Sequence, residues 1–392
     1  MTSRERVLTA LDHREPDRVP YDLSSTQVTG IAVEACRALR RHLELPELEP
    51  VICDIVQQLC MPRDDLMARL EVDTRGLFPK SHYNLPLPVG GETWRRTHVD
   101  AGETWQYRDE WGCLQSFPKR GGLYYTVVET PLPGTDVTVE QVEALPLPAG
   151  DEPWRFEGLR EDAKRFRDEG TAVVLRSICA GMVEMAVRVR GMENFLVDLM
   201  INPAAAEALL QRFLDIKLAF WERALAELGD VVDVIMEADD YGTQESQLIS
   251  PETFREKVKP KLAELVAHMK KRAPQARVFF HSCGSVRPII PDFIEVGIDI
   301  LNPVHISAAG MEPTGLKRDF GADICFWGGG VETQSVLPRG TPQEVRDDVR
   351  RNVEALAPGG GWVFNTIHNI QADVPPENVM AMRDALAEYG TY

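Results

Sequence analysis

At 392 residues and 44% apolar content, the chain can build one large domain or two ordinary ones around a complete hydrophobic core. Its 43 Lys and Arg stand against 61 Asp and Glu, a formal charge of −18, which argues against nucleic acid and against an anionic membrane surface as partners. No run of about 18 apolar residues offers a bilayer span, and the charged opening Met1-Thr2-Ser3-Arg4-Glu5-Arg6 lacks the apolar stretch of a signal peptide. Seven cysteines, odd in number and without framework spacing, fit a reducing compartment, so a cytoplasmic protein is expected. The oligomeric state is not legible.

The chain opens with a capped helix, Thr2 or Ser3 leading to Glu5 and an apolar face of Val7, Leu8 and Leu11. Pro16 and Pro20 bracket a first short strand at 19–23. A helical stripe covers 29–43 (Ile31, Ala32, Ala35, Leu39, Leu43), then a helix is expected at 64–70 and a second strand at 72–78. Between 79 and 150 Gly and Pro become frequent and aromatics gather (Trp94, Trp105, Tyr107, Trp111, Tyr124, Tyr125). This reads as a hairpin-rich insertion, not a separate domain. Hairpin packing is the first expectation for its rings and a substrate lid the second.

Beyond residue 153 the pattern is regular. Apolar strands at 171–177, 231–237, 278–281, 298–302, 324–328 and 362–367 alternate with helices at 181–225 (broken at Asn202-Pro203), 251–272, 286–296, 313–320, 341–356 and 376–389. That is the pattern of a parallel sheet covered on both faces. With the two early strands there are eight, and eight βα units fit an α/β fold of the closed (β/α)8 TIM barrel type better than an open doubly wound sheet. No G-x-G-x-x-G follows any strand; Gly328-Gly329-Gly330 and Gly359-Gly360-Gly361 read as tight turns. One barrel domain over 1–392 is expected, with an N-terminal segment and the 79–150 insertion.

In such a barrel the chemistry belongs at the C-terminal ends of the strands. One of them reads Val278-Phe279-Phe280-His281-Ser282-Cys283-Gly284. A strand continuing through Cys283 would aim the imidazole of His281 and the thiol of Cys283 the same way, as two donors that suit zinc. The plain alternative is a buried cysteine beside a hydrogen-bonded histidine. A later strand-like run, Gly361 to Asn369, also ends on a histidine, His368, and three ligands would leave one coordination position open. Other polar residues gather at strand ends. Glu237 can face the barrel interior as a ligand. Asp239 and Asp240 are candidates for proton donor, for hydrogen-bond partner to a metal ligand or for fourth ligand, with a capped turn as the alternative. Asn302, His305, Trp327 and Asn365 are candidates for substrate contacts.

These residues carry a family resemblance. The chain resembles the uroporphyrinogen decarboxylase-like superfamily, nearer its zinc-dependent cobalamin and coenzyme M methyltransferase branch than the true decarboxylases. The matching segments run nearly end to end: Arg4-Glu5-Arg6-Val7 through Asp17-Arg18-Val19-Pro20, Leu248-Ile249-Ser250-Pro251-Glu252 with Phe254 and Pro260, His281-Ser282-Cys283-Gly284, and Val374-Pro375-Pro376-Glu377-Asn378-Val379. The resemblance implies a (β/α)8 barrel and a zinc held by the His-x-Cys pair plus a third ligand shortly before the Pro-x-Glu-Asn stretch. That ligand is commonly Cys; the position here, counted back from Glu377 (377 − 368 = 9), is His368. True decarboxylases, by the same resemblance, use no metal and grip several carboxylates with an arginine-rich loop. The corresponding stretch, Tyr21-Asp22-Leu23-Ser24-Ser25-Thr26-Gln27, has no arginine.

The implied activity is methyl transfer between a small methylated compound, methoxylated ones among them, and a corrinoid (cobalamin) protein. Two imidazoles and one thiolate leave a bound zinc more Lewis-acidic than two thiolates would, which favours activation of an oxygen leaving group over a thiol. The rival expectations are a metal-free decarboxylase or lyase on the same barrel, a zinc hydrolase, and a non-catalytic scaffold for a corrinoid protein.

Overall fold

Seven strands of the computed structural model run parallel around one sheet: β1 (Thr74–Leu77), β2 (Ala172–Arg176), β3 (Val234–Ala238), β4 (Arg277–His281), β5 (Ile300–Asn302), β6 (Cys325–Trp327) and β7 (Trp362–Val363), each paired with the next in sequence order. The structure describes residues 1–81, 87–88 and 98–392. The eighth position is filled by the segment around Tyr21. Tyr21 makes a parallel bridge to Phe364 just past β7, and its carbonyl accepts from Asp73 N–H (2.8 Å) just before β1. The ring of a (β/α)8 barrel closes there. The expected strand at 19–23 is reduced to this bridge because Pro20 has no N–H to give a ladder.

Alternation along the strands decides what faces inward. Ala172, Val174, Val234, Met236, Phe279, Ile300, Cys325, Trp327 and Val363 form one buried cluster inside the barrel, joined by Val7 and Leu11 of the first helix, α1 (Ser3–Leu11). The residues between them, such as Val173, Leu175, Ile235, Phe280, Leu301 and Phe326, belong to the larger core shared with the outer helices. The expected capping box is present on α1: Glu5 N–H donates to Thr2 Oγ1 (3.2 Å) and Thr2 N–H to Glu5 Oε2 (2.8 Å).

One fully buried carboxylate ties the closure together. Asp73 accepts from Arg6 Nη1 (2.6 Å), from Arg18 Nη1 (2.8 Å) and Nη2 (3.0 Å), and from Tyr21 N–H (2.8 Å). Arg6 also grips Asp17 with Nε (2.7 Å) and Nη2 (2.8 Å). The paired charges hold the irregular eighth segment where proline prevents a regular ladder.

Elsewhere the expected elements shift or split. The helical stretch expected over 181–225 breaks at Asn202-Pro203 as expected and once more before it, giving α2 (Met182–Arg190), α3 (Met192–Ile201) and α4 (Pro203–Leu228). The first break falls at Gly191, whose φ of +85° no helix can hold. Between 79 and 150, four antiparallel strands (Val99–Asp100, Thr104–Arg108, Leu114–Pro118, Thr126–Glu129) make the hairpin sheet, and its Tyr107, Trp111 and Tyr125 join the main core. Trp105 lies under Lys119 at 4.3 Å; Trp94 lies outside the described residues. A second antiparallel sheet (Ile31–Ala32, Leu59–Cys60, Val51–Asp54, Leu87–Pro88) was not expected. Its strands are only two to four residues long and a register shift interrupts Ile52 to Asp54, so no alternation announces them. Among the described residues no helix is long and apolar enough to cross a membrane.

Removing the closing carboxylate should weaken the whole barrel. Asp73→Ala strands Arg6 and Arg18 without their buried partner and is expected to lower stability by about 3 kcal/mol, measured as a fall in the urea midpoint with an unchanged slope. An unchanged midpoint would contradict the role given to this residue.

Candidate metal centre

β3, β4 and β5 end level with one another: Ala238 pairs with His281, and His281 with Asn302. His281 follows Phe279 on the inward face. The strand stops there, contrary to the expectation that it continues through Cys283. Ser282 N–H still donates to Asn302 O (2.7 Å), and then the chain turns. Cys283 N–H donates to Asp240 Oδ1 (2.8 Å) and Gly284 N–H to His305 Nδ1 (3.0 Å). Gly284 has a φ of +85°, and a Cβ there would sit 2.4 Å from the Gly242 carbonyl carbon, so only glycine allows this turn. The turn brings Cys283 Sγ to 3.4 Å from His281 Nε2.

His368 arrives from the other side. β7 is shorter than expected, and a turn carries the chain on to His368, whose carbonyl accepts from Thr366 Oγ1. Its ring centre is 5.7 Å from that of His281. Ligand atoms of His281, Cys283 and His368 all lie within 4.8 Å of one another.

The chemistry of this donor set fits zinc. Asn302 Nδ2 donates to Trp327 O (2.8 Å), so its Oδ1 is the acceptor facing His281 Nδ1 at 2.5 Å. The proton is thereby fixed on Nδ1 and the Nε2 lone pair is presented toward Cys283 and His368. Burial, with His281 and His305 close by, lowers the pKa of His368 to about 3, so its ring is neutral and ready to coordinate at ordinary pH. The Cys283 thiol is pushed well above its usual value by burial and by the negative charges of Asp240 and Glu184. In the absence of metal it holds its proton. Two imidazoles and one thiol are the set of an open, three-ligand zinc site.

Asp240 stands beside this triad, with Oδ1 3.6 Å from His281 Nε2 and its side chain 42% exposed to the adjoining cavity. Burial raises its pKa, partly offset by His281. The other expected site residues go elsewhere. Glu237 lies on the outward face of β3, where it accepts from Ser177 Oγ (2.7 Å), Lys217 Nζ (2.7 Å) and Trp221 Nε1 (2.5 Å). It anchors α4 to the barrel wall and is no ligand. Asp239 caps α2, accepting from Val183 N–H (2.9 Å), Glu184 N–H (2.8 Å) and the Tyr241 hydroxyl (3.0 Å). Burial pushes its carboxyl up to about 7 against those bonds. Gly181 makes this approach possible, since a Cβ there would meet Asp239 Cγ at 2.0 Å.

The expected substrate contacts are likewise structural. Asn302 orients His281. Trp327 fills the barrel interior and donates to Asp22 Oδ2 (2.9 Å). Asn365 donates to Asp22 O (2.9 Å) and holds the closing segment. His305 supports the Gly284 turn and leaves its Nε2 buried without a partner among the described residues. None of the four lines the cavity, because strand ends turn polar groups toward neighbouring loops as readily as toward the axis.

The cavity itself measures about 330 Å³ and is walled by His281, His368, Asp240, Tyr107, Tyr125 and Arg176, among others. Arg176 was missed. It ends β2 two residues past the inward-facing Val174, and that spacing alone places it inside. Of the hairpin rings, Tyr107 and Tyr125 pack in the core, as first expected, and also wall the cavity.

Because the Cys283 thiol keeps its proton near neutrality, metal binding must release it. Zinc affinity is therefore expected to rise about tenfold per pH unit from pH 6.5 to 8, with no further break from His368, whose proton is already gone. Chelator competition at several pH values checks this; a flat profile would contradict it.

A family model described as Uroporphyrinogen decarboxylase (URO-D) matches residues 122–389. No curated protein matches the chain. Among solved structures, a methyltransferase from Methanosarcina mazei aligns over 99% of both chains with a TM-score of 0.64 at 20% identity, a likeness of fold along the full length. A psychrophilic glycoside hydrolase family 10 endo-beta-1,4-xylanase covers 60% of this chain and 86% of its own at a TM-score of 0.35 and 10% identity, too slight to carry an argument. With its eight-membered barrel and a family match over most of its length, the chain belongs to the uroporphyrinogen decarboxylase family.

Proposed function

We propose that the protein is a zinc-dependent methyltransferase that moves a methyl group between a small methylated compound and a corrinoid protein. The observation that carries this reading is the meeting of His281, Cys283 and His368 within 4.8 Å at the C-terminal rim of a barrel of this family. The full-length likeness to a methyltransferase supports it. So does the stretch from Tyr21 to Gln27, which has no arginine with which to grip a porphyrinogen's carboxylates.

Zinc, when bound by these three residues, supplies Lewis acidity in a position left open to substrate. The rest is done by the chain. Asn302 holds His281 in one tautomer and orientation. Asp240, its Oδ1 3.6 Å from His281 Nε2 and its side chain open to the cavity, is placed to exchange a proton with a substrate oxygen. Glu184 pairs with Arg188 at 2.6 Å, so neither brings an uncompensated charge to the wall. Tyr107, Trp111, Tyr124 and Tyr125 line the cavity beside the triad.

A second reading is a zinc hydrolase, favoured by the position of Asp240 as a base 3.6 Å from His281 Nε2. The two part on the partner. Methyl transfer needs a corrinoid protein, whereas hydrolysis proceeds without one.

The protein as purified should hold close to one zinc per chain. Cys283→Ala and His368→Ala should each lose most of it, and Asn302→Ala should weaken zinc binding by about 10–100-fold. Glu237→Gln should keep its zinc and lose stability instead. Metal analysis with parallel denaturation curves checks all four, and full zinc in Cys283→Ala would defeat the proposal.

A further inference from the structure

The cavity holds one buried cation whose hydrogen bonds are unspent. Arg176 is 4% exposed, yet its Nε and Nη1 have no hydrogen-bond partner among the described residues. Asp54 Oδ2 stands 3.8 Å from its nearest nitrogen, Nη2, beyond hydrogen-bond reach, and the other Asp54 oxygen accepts from Gln57 N–H (3.0 Å). The remaining acids of the wall are engaged elsewhere. Glu184 pairs with Arg188, Glu110 with Arg155 (2.7 Å), and Asp109 with Trp111 N–H, Cys113 N–H and Gln115 Nε2. Asp240 serves Cys283 N–H. The Phe78 ring centre lies 5.5 Å from the guanidinium carbon.

Buried donors without acceptors are costly, and a buried cation more so. An ether or carbonyl oxygen would satisfy a donor and leave the charge answered only by the Asp54 carboxylate, 3.8 Å away. A carboxylate satisfies both, and the guanidinium fork matches its geometry. Two neutral groups of the same wall also have no partner among the described residues: the Tyr125 hydroxyl and Gln27 Oε1, whose amide nitrogen meets Met236 Sδ at 3.7 Å. The hydroxyl can donate to an oxyanion directly, and the Gln27 amide can do so after a turn about its last torsion.

We infer that the small molecule bound in this cavity carries a carboxylate, held by Arg176 and the Tyr125 hydroxyl, with its apolar body between the aromatic walls and the triad. One arginine answers one carboxylate, and about 330 Å³ is small for a binding site, so the ligand is a small acid and not a porphyrinogen. That this acid is the methyl donor or acceptor rests on the reading above; that it is a carboxylate does not.

The test uses the full-length protein as purified and calorimetric titration with acetate, propionate, benzoate and 4-methoxybenzoate, each against its own amide. At least one acid is expected to bind about tenfold or more tightly than its amide. In Arg176→Met that preference should fall to about one, and in Arg176→Lys part of it should return, with zinc content unchanged in both. No preference in the wild type, or one that survives Arg176→Met, overturns the inference. A preference that follows Arg176 in a protein without zinc sinks the methyltransferase reading and leaves the carboxylate site standing. Zinc with corrinoid-dependent transfer but no such preference does the reverse.

Discussion

Ala238, His281 and Asn302 stand side by side because the parallel ladder pairs them in that order, and the two-residue period of each strand then sorts every neighbour. Phe279 fills the barrel and His281 tops it; Phe280 between them joins the outer core. Glu237 pairs with Phe280 and must therefore point outward. A slip of one residue in this register would exchange the two faces, burying a phenylalanine at the rim and sending the imidazole to the helices. The site depends on this register before it depends on any ligand.

The register in turn depends on closure of the ring at a point where the sequence cannot make a strand. Pro20 breaks the ladder, and Asp73 with Arg6, Arg18 and Asp17 replaces it by charge. This accounts for part of the resemblance seen in the sequence. Arg6, Asp17 and Arg18 lie in its first matching segments, far from the cavity, and their work is to close the barrel. Outside the ring, Lys217 and Glu237 form a second buried pair, each 1% exposed, that pins α4 to β3. Such pairs contribute little net stability, but removing one partner is expensive, so they fix position. Inside the rim the balance differs. His368 is neutral, Cys283 keeps its proton and Arg176 lacks a full partner, a set of groups that a metal and an anion would complete.

Much of this was legible in the chain. The barrel was legible because six of its seven strands are continuous apolar runs separated by helical periods, and the three candidate ligands because His281, Cys283 and His368 sit where such runs end. The errors share one cause. A polar residue at a strand end has four destinations (the axis, the helices, the next loop or a helix N-terminus), and sequence position alone does not choose among them. Glu237 went to the helices, Asp239 to the start of α2, and Asn302 and Asn365 to neighbouring loops. Strand parity resolves some of these once the register is known; counted from Val174, it would have placed Arg176 inside. The turn at Gly284 depends on Gly242 and His305, distant in sequence, and the short hairpin of 51–54 with 59–60, its register shifted between Ile52 and Asp54, leaves no alternation to read.

The central claim is that one sulfur and two imidazoles, brought together from two distant parts of the chain, bind a single zinc. X-ray absorption at the zinc edge, recorded on the protein as purified, tests it most directly. The account predicts one sulfur near about 2.3 Å and two imidazole nitrogens near about 2.0–2.1 Å, with the sulfur shell gone in Cys283→Ser and one imidazole gone in His368→Ala. A zinc environment of oxygen and nitrogen alone, or a sulfur shell that survives the loss of Cys283, would contradict it.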